Sequence, residues 1–487
     1  MFEPTWDSVA QHSVPDWYGG AKLGVFVHWG LYSVPGWAPQ VPDIQELLER
    51  RGPAAILREN PYAEWYLNTS RLTGSPTWTH QRDTYGPEAT YDDFVPVFDD
   101  GSAEADMDAI AAVCRDAGAR YVILTTKHHD GFCLWPTAIR HPRHGHYHAR
   151  RDIVGDLRTA VLAAGMRMGL YYSGGYDWPF NDALLSSPAD LVLAVPATRD
   201  YADYATAHVR ELIDRYQPSV LWNDICWPAA ADLPALFADY YNSVPDGLVN
   251  DRWMQSTPPR GPLGEGLVRL AGLVAQQLWP VIPARFKTLT FPTNQHFDVR
   301  TPEYAAFDAI QADKWESTRG VGHSFGANRN ERPQDMLTGP ELIASFADIV
   351  SKNGNLLIGI GPDEHGRFPD GQVAPLRALG DWLRVNGEAV YDTAPWEVAE
   401  ATTGCGLPVR FTRGASETNV IVLGTPRGRF SLPGFDACGV DRARVLGLDE
   451  PLDWGIDDGV LTVCWPGRLP VAAAHVVAVS GTLRPGR

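Results

Sequence analysis

The residues best equipped for chemistry gather where short apolar runs end. His28 and Trp29 close a run that starts at Lys22, and Lys127, His128, His129 and Asp130 close one that starts at Arg120. Tyr171, Tyr172 and Asp177 belong to a third, Asn223 and Asp224 to a fourth, and Asp251 and Arg252 to a fifth. Val220, Trp222 and Asp224 share one face by the two-residue alternation of a strand, so an inward Trp222 aims Asp224 the same way. Asp224 is followed by Ile225-Cys226-Trp227-Pro228, which does not mark it as a helix cap.

Imidazoles, Tyr, Trp and Arg around a carboxylate allow two readings. A metal centre would want HxH or HExxH spacing with a bridging acid. His144, His146 and His148 do alternate, but Arg143, Arg150 and Arg151 stand beside them and oppose a cation. The expectation is therefore no metal and no cofactor. The other reading is a polyhydroxylated ligand, for which neutral His, Tyr and Trp supply directional hydrogen bonds and apolar ring faces. The 17 Trp, 18 Tyr and 17 Phe suit that reading, many standing beside Asp, His or Gly. Cleaving a sugar linkage needs a second carboxyl group, about 5 to 5.5 Å from the first if a covalent intermediate forms. Asp130, Glu303 and Glu316 are candidates, and spacing does not choose among them. A barrel metallohydrolase using His128 and Asp130 is the competing hydrolytic scheme.

The elements that must carry these residues alternate in type. Apolar runs at 22–30, 120–127, 167–173 and 219–224 read as strands covered on both faces, with shorter candidates at 247–252, 313–316 and 355–360. Between them, helical spacing such as Met107, Ile110, Val113 and Cys114 ends at Gly118, and Val209, Leu212, Ile213 and Tyr216 end before Pro218. Seven βα repeats favour an irregular (β/α)8-like, TIM-type barrel, and no GxGxxG follows the first strand to suggest a dinucleotide fold. In such a barrel the strand ends form the site. Past residue 395 the texture becomes short and β-branched, which predicts a catalytic barrel at 1–395 and a C-terminal β-sandwich domain at 396–487. A net charge of −18 makes nucleic acid an unfavourable partner. No leader-like start and no run long enough to span a bilayer are seen, so a cytoplasmic, non-membrane protein is expected. Six scattered cysteines without a CxxC pair read as reduced and structural.

Eleven segments, in order, resemble the α-L-fucosidases of glycoside hydrolase family 29. They include residues 17–35, Tyr62-Ala63-Glu64-Trp65-Tyr66, Lys127-His128-His129-Asp130-Gly131-Phe132, residues 151–156 and 169–178, and Leu221-Trp222-Asn223-Asp224. Asn250-Asp251-Arg252-Trp253, Thr301-Pro302-Glu303-Tyr304, Lys314-Trp315-Glu316 and residues 351–357 and 386–391 complete the set. The resemblance implies the barrel and β-sandwich architecture, and an exo-acting, retaining hydrolase of fucosylated oligosaccharides or glycoconjugates. It implies Asp224 as nucleophile and Glu303 as acid/base, with Glu316 the other carboxyl available for that role. It further implies His28, Glu64, Trp65, His128, His129, Tyr171, Arg252, Glu316 and Phe325 as substrate-binding residues, Phe325 packing on the fucose methyl. Arg252 would keep Asp224 ionised, while poorer solvation or the charge of Asp224 would keep the acid protonated. The alternative on the same scaffold is a catalytically weak fucose-binding protein. Two departures from the family pattern stand out. Residues 254–297 replace a short link and either lid the aglycone side or contact a second subunit of a homo-oligomer. Gly359 stands where the family carries Asn.

Overall fold

A computed structural model describes residues 1–255, 257, 261–283 and 293–486. Among them, seven parallel strands form one curled sheet: β1 Leu23–Val27, β2 Tyr121–Lys127, β3 Arg167–Ser173, β4 Val220–Asp224, β5 Leu248–Val249, β6 Trp315–Gly320 and β7 Gly354–Ile360. They lie in the order β5-β4-β3-β2-β1-β7-β6. Every residue of β1, β2, β4 and β7 is buried, as expected of strands covered by helices on one side and by the barrel interior on the other. The outer layer includes helices Met107–Asp116, Ile153–Ala163, Arg199–Tyr216 and Leu233–Ser243, each capped by an Asp or Thr side chain at its N-terminus.

The sheet's two edges, β5 and β6, are joined by a segment that stands where an eighth strand would. Its pairing reduces to single bridges, Asn250 with Val299, Arg300 with Trp315 and Glu303 with Thr318. Pro302 within it has no N–H to donate, which is one reason the ladder is broken. Seven regular strands and one irregular stave thus close a TIM-like barrel.

Of residues 254–297, positions 256, 258–260 and 284–292 lie outside the described set. The described part contains helix Gly261–Leu278, which buries none of its side chains. No helix among the described residues is long and apolar enough to cross a membrane.

Beyond the barrel, β8 Ala394–Thr402, β9 Pro408–Arg413, β10 Glu417–Leu423, β12 Phe435–Val445 and β15 Ala474–Pro485 make a five-stranded antiparallel sheet. β11 Arg429–Ser431, β13 Asp453–Asp457 and β14 Val460–Cys464 make a second, three-stranded one. The two share a core that includes Phe411, Val422, Val463 and Val477. This β unit is fastened to the barrel's helices by Arg410 to Asp348 at 2.6 Å and by the Trp382 indole donating to the Ala474 carbonyl at 2.9 Å.

Candidate active site

A cavity of about 350 Å³ opens at the C-terminal ends of the barrel strands. Phe26 and Trp222, projecting inward from β1 and β4, line it, and Trp222 stacks on Tyr171 with centroids 5.5 Å apart. Asp224, one strand repeat beyond Trp222, reaches the same space. Its carboxylate accepts from the Tyr171 hydroxyl at 2.9 Å, from Arg252 Nη1 at 3.0 Å and from the Ile225 backbone N–H at 2.9 Å. Three donors on two oxygens fix its orientation. The backbone contributes too: Ile225 has φ of +72°, a region that a β-branched residue enters only at a cost of order 1–3 kcal/mol. Gly175 allows this turn, since a Cβ there would meet the Ile225 side chain at 2.8 Å.

Arg252 is positioned by amides that extend the β4–β5 ladder where its backbone pairing stops. Asn250 Oδ1 accepts from Asn223 N at 2.9 Å, and Asn223 Nδ2 donates to the Arg252 carbonyl at 2.8 Å. Arg252 Nε and Nη2 bond Thr301 at 3.2 and 3.1 Å, and its guanidinium lies over the Trp222 ring. Nη1 contacts two carboxylates at once, Asp224 Oδ1 at 3.0 Å and Glu303 Oε2 at 3.1 Å. Burial opposes the Arg252 charge, but Glu303 and Asp224 more than restore it, so the guanidinium stays protonated. Glu303 is carried by the irregular stave, and the Tyr62 hydroxyl donates to its other oxygen at 2.6 Å.

Three imidazoles line the cavity. Burial pushes His28 down to about 3 and His128 and His129 well below their ordinary value, so all three are neutral near pH 7. For His129 the tautomer follows from its neighbour. Ser173 donates its one hydroxyl proton to the Tyr176 carbonyl at 2.8 Å, so it must accept from His129 Nδ1–H at 2.6 Å. The Nε2 lone pair, 3.9 Å from Asp224 Oδ2, is then left as an acceptor for a ligand hydroxyl. Glu64 enters from another side, its Oε2 accepting from Gly326 N at 3.0 Å and Ser324 Oγ at 3.2 Å. Burial raises its carboxyl to about 7 despite these bonds. Phe325, on the same loop, packs on His28 at 4.9 Å and on Tyr62 at 5.4 Å. Trp65 meets His129 edge to face.

His28, Glu64, Trp65, His128, His129, Tyr171, Asp224, Arg252, Glu303 and Phe325 therefore all border one cavity. Glu316 does not, and its expected role in binding or catalysis is corrected. It is the second residue of β6, deep in the barrel, where it accepts from the hydroxyls of Tyr18 at 2.6 Å and Tyr121 at 2.5 Å and from the Trp222 indole at 3.2 Å. The strand begins rather than ends there, and Thr318, one repeat later on the same face, is the residue that reaches the cavity. Other strand-end groups hold the scaffold. Lys127 and Asp177 form a fully buried ion pair at 3.1 Å. Asp130 accepts from Tyr91, and Asp251 accepts from Thr301. Sequence reasoning missed Tyr62 as a partner of Glu303, although it heads the Tyr62–Tyr66 motif. Among the described residues only His12, His296 and Asp298 bring three possible metal ligands within 4.8 Å of one another, and none of them borders this cavity.

Two carboxyl groups, a fixed cation and neutral imidazoles in a recess can bind and cleave a polyhydroxylated substrate. A family model described as Alpha-L-fucosidase matches residues 1–264 and 281–388. An alpha-L-fucosidase of Branchiostoma floridae is 29% identical over 507 residues, covering 99% of this chain and 96% of the relative. One of Dictyostelium discoideum is 28% identical, covering 88% of this chain and 84% of the relative. A Thermotoga maritima alpha-fucosidase solved in complex with a mechanism based inhibitor is 39% identical, with a TM-score of 0.82 over 99% of this chain and 100% of that one. A Thermotoga maritima alpha-fucosidase solved with fucose is 38% identical, with a TM-score of 0.80 over 98% and 100% of the two chains. The chain belongs to the alpha-L-fucosidase family of glycoside hydrolases.

Proposed function

We propose that the protein is an exo-acting, retaining α-L-fucosidase that removes terminal α-L-fucosyl groups from oligosaccharides or glycoconjugates by double displacement. The observation that carries this reading is the single Arg252 nitrogen shared by Asp224 and Glu303. Two oxygens each within 3.1 Å of one atom lie no more than about 6 Å apart. Retaining enzymes hold their carboxyl groups ~5–5.5 Å apart, whereas inverting ones need ~6.5–9.5 Å to admit a water.

In the first step Asp224 attacks C1 while Glu303 passes its proton to the departing oxygen, giving a fucosyl ester and a free alcohol. Ester formation removes the negative charge of Asp224. Glu303, now a carboxylate, takes a proton from water as that water attacks C1, and the ester opens to fucose and the original Asp224. Glu64 and the neutral His28, His128 and His129 would bind the sugar hydroxyls, with His129 Nε2 accepting. Trp65 and Tyr171 would border the ring. Phe325 would cover the methyl group at C5, a contact worth roughly 0.8 kcal/mol or somewhat more. A recess of about 350 Å³ has room for a terminal sugar, which supports exo action. The fucose complex of the Thermotoga maritima relative supports the sugar's identity.

A 2-deoxy-2-fluoro-fucosyl donor tests the scheme. Digestion and mass spectrometry are expected to find the label on the peptide holding Asp224, and Asp224→Gly is expected to lose nearly all turnover and to regain some with azide as β-fucosyl azide. Label on another peptide, or fucose binding without any hydrolysis, would remove the proposal.

A further inference from the structure

Past the two carboxylates the same cavity changes character. Ile225 and Met254, which follow Asp224 and Arg252 along the chain, line it together with Ile56, Leu57, Leu191 and Val192. Val192 is 43% exposed and marks the rim, while Ile56 and Leu57 are buried. Among the described residues the lining there is aliphatic but for Asn60, whose side-chain oxygen accepts from Tyr62 N at 2.9 Å. A polyhydroxylated leaving group entering this compartment would leave water and find few partners, which costs free energy for each unpaired hydroxyl. An alkyl or aryl group would not.

Helix Gly261–Leu278 spans the two segments that supply this wall. Gln276 Oε1 accepts from Ala54 N at 3.0 Å, at the start of helix Pro53–Arg58, which carries Ile56 and Leu57. The Trp279 indole donates to the Leu48 carbonyl at 2.7 Å, at the far end of the helix that carries Ile44. Gly52, at φ +83°, turns the chain between those two helices, and a Cβ there would meet Gln276 and Trp279 at 3.0 and 3.1 Å. On the opposite wall Arg269 pairs with Asp190 at 3.1 Å, and Gly272 sits against Ala189, next to Leu191 and Val192. The family model passes over residues 265–280, which include Arg269, Gly272, Gln276 and Trp279.

We infer that the braced aliphatic compartment is a leaving-group subsite for apolar aglycones, so that the enzyme favours α-L-fucosides of alkyl or aryl alcohols over those of sugars. The inference rests on the hydrolase reading above. Alkyl alcohols differ little in acidity, so methyl, ethyl, propyl and butyl α-L-fucosides vary the contact while holding the chemistry steady. For the intact protein kcat/KM is expected to rise roughly two- to fourfold per methylene. Trp279→Ala, which removes the brace's contact to Leu48, is expected to flatten that rise while kcat/KM for the methyl fucoside stays within about twofold. Val192→Asn, at the exposed rim where folding is not at risk, is expected to flatten it as well. A series that is hydrolysed with no dependence on chain length, or a slope that survives in both variants, overturns the subsite and leaves the fucosidase reading standing. Failure to cleave any alkyl or aryl fucoside overturns both.

Discussion

Glu303 meets one cation and one phenol, and those contacts decide what its loss should do. With Tyr62 on one oxygen and Arg252 on the other, the carboxyl is aimed at whatever occupies the space beside Asp224. Removing it in Glu303→Ala should slow cleavage of fucosides with poor leaving groups by about 10²–10⁴-fold, whereas an activated aryl fucoside should lose much less in its first step. Comparing kcat/KM across leaving groups checks this, and a uniform loss would mean that Glu303 is not the acid. Glu64 calls for a different measurement. Its folded carboxyl titrates at about 7, raised by burial, against an ordinary value near 4.5. The raised value favours the protonated folded state, so this group's stabilising contribution is complete below about pH 4.5 and is lost as pH climbs through about 7. Glu64→Gln should therefore flatten the fall in thermal stability across that window, by on the order of 3 kcal/mol between its ends. An unchanged profile would show that Glu64 titrates normally.

Individual elements explain which parts of the site were readable in advance. Residues immediately past a regular strand end were legible because alternation and strand length place them: His28 after β1, His128 and His129 after β2, and Asp224 closing β4. Glu316 was misplaced because only the start of β6 looks apolar. Its later residues, Ser317, Thr318 and Arg319, gave no signal that the strand continues. Glu303 could be named only by likeness to a family, since a broken stave has no period to read. Gly359, the second departure from the family pattern, packs closely enough on Phe325 that a Cβ would meet its ring at 2.5 Å, a tertiary contact that no local pattern encodes. Nor does sequence distinguish a catalytic strand end from a structural one. Lys127 at the end of β2 binds Asp177, and although burial acts against that carboxylate, Lys127 and His141 hold it down at about 2. Lys127→Met should cost about 3–5 kcal/mol in urea unfolding because it leaves a buried charge unpaired. A loss under 1 kcal/mol would mean that the pair is not closed to water.

Over the whole molecule, the β unit and the barrel share an interface through the helices Gly339–Ser351 and Asp370–Asn386, neither of which lines the cavity. Among the described residues, none from β8 to β15 lines the cavity. The barrel itself is uneven around its circumference. Asp224 ends a five-residue strand whose every residue pairs with β3. Glu303 hangs from a stave stitched by isolated bridges. Warming should loosen the second before the first. An enzyme held some degrees below its melting point would keep its appetite for substrates that need no proton while growing indifferent to those that do. Following hydrolysis of an activated and an unactivated fucoside up the same temperature ramp would show two failures separated in heat, and coincident failure would mean that the patched stave is as firm as the woven ones.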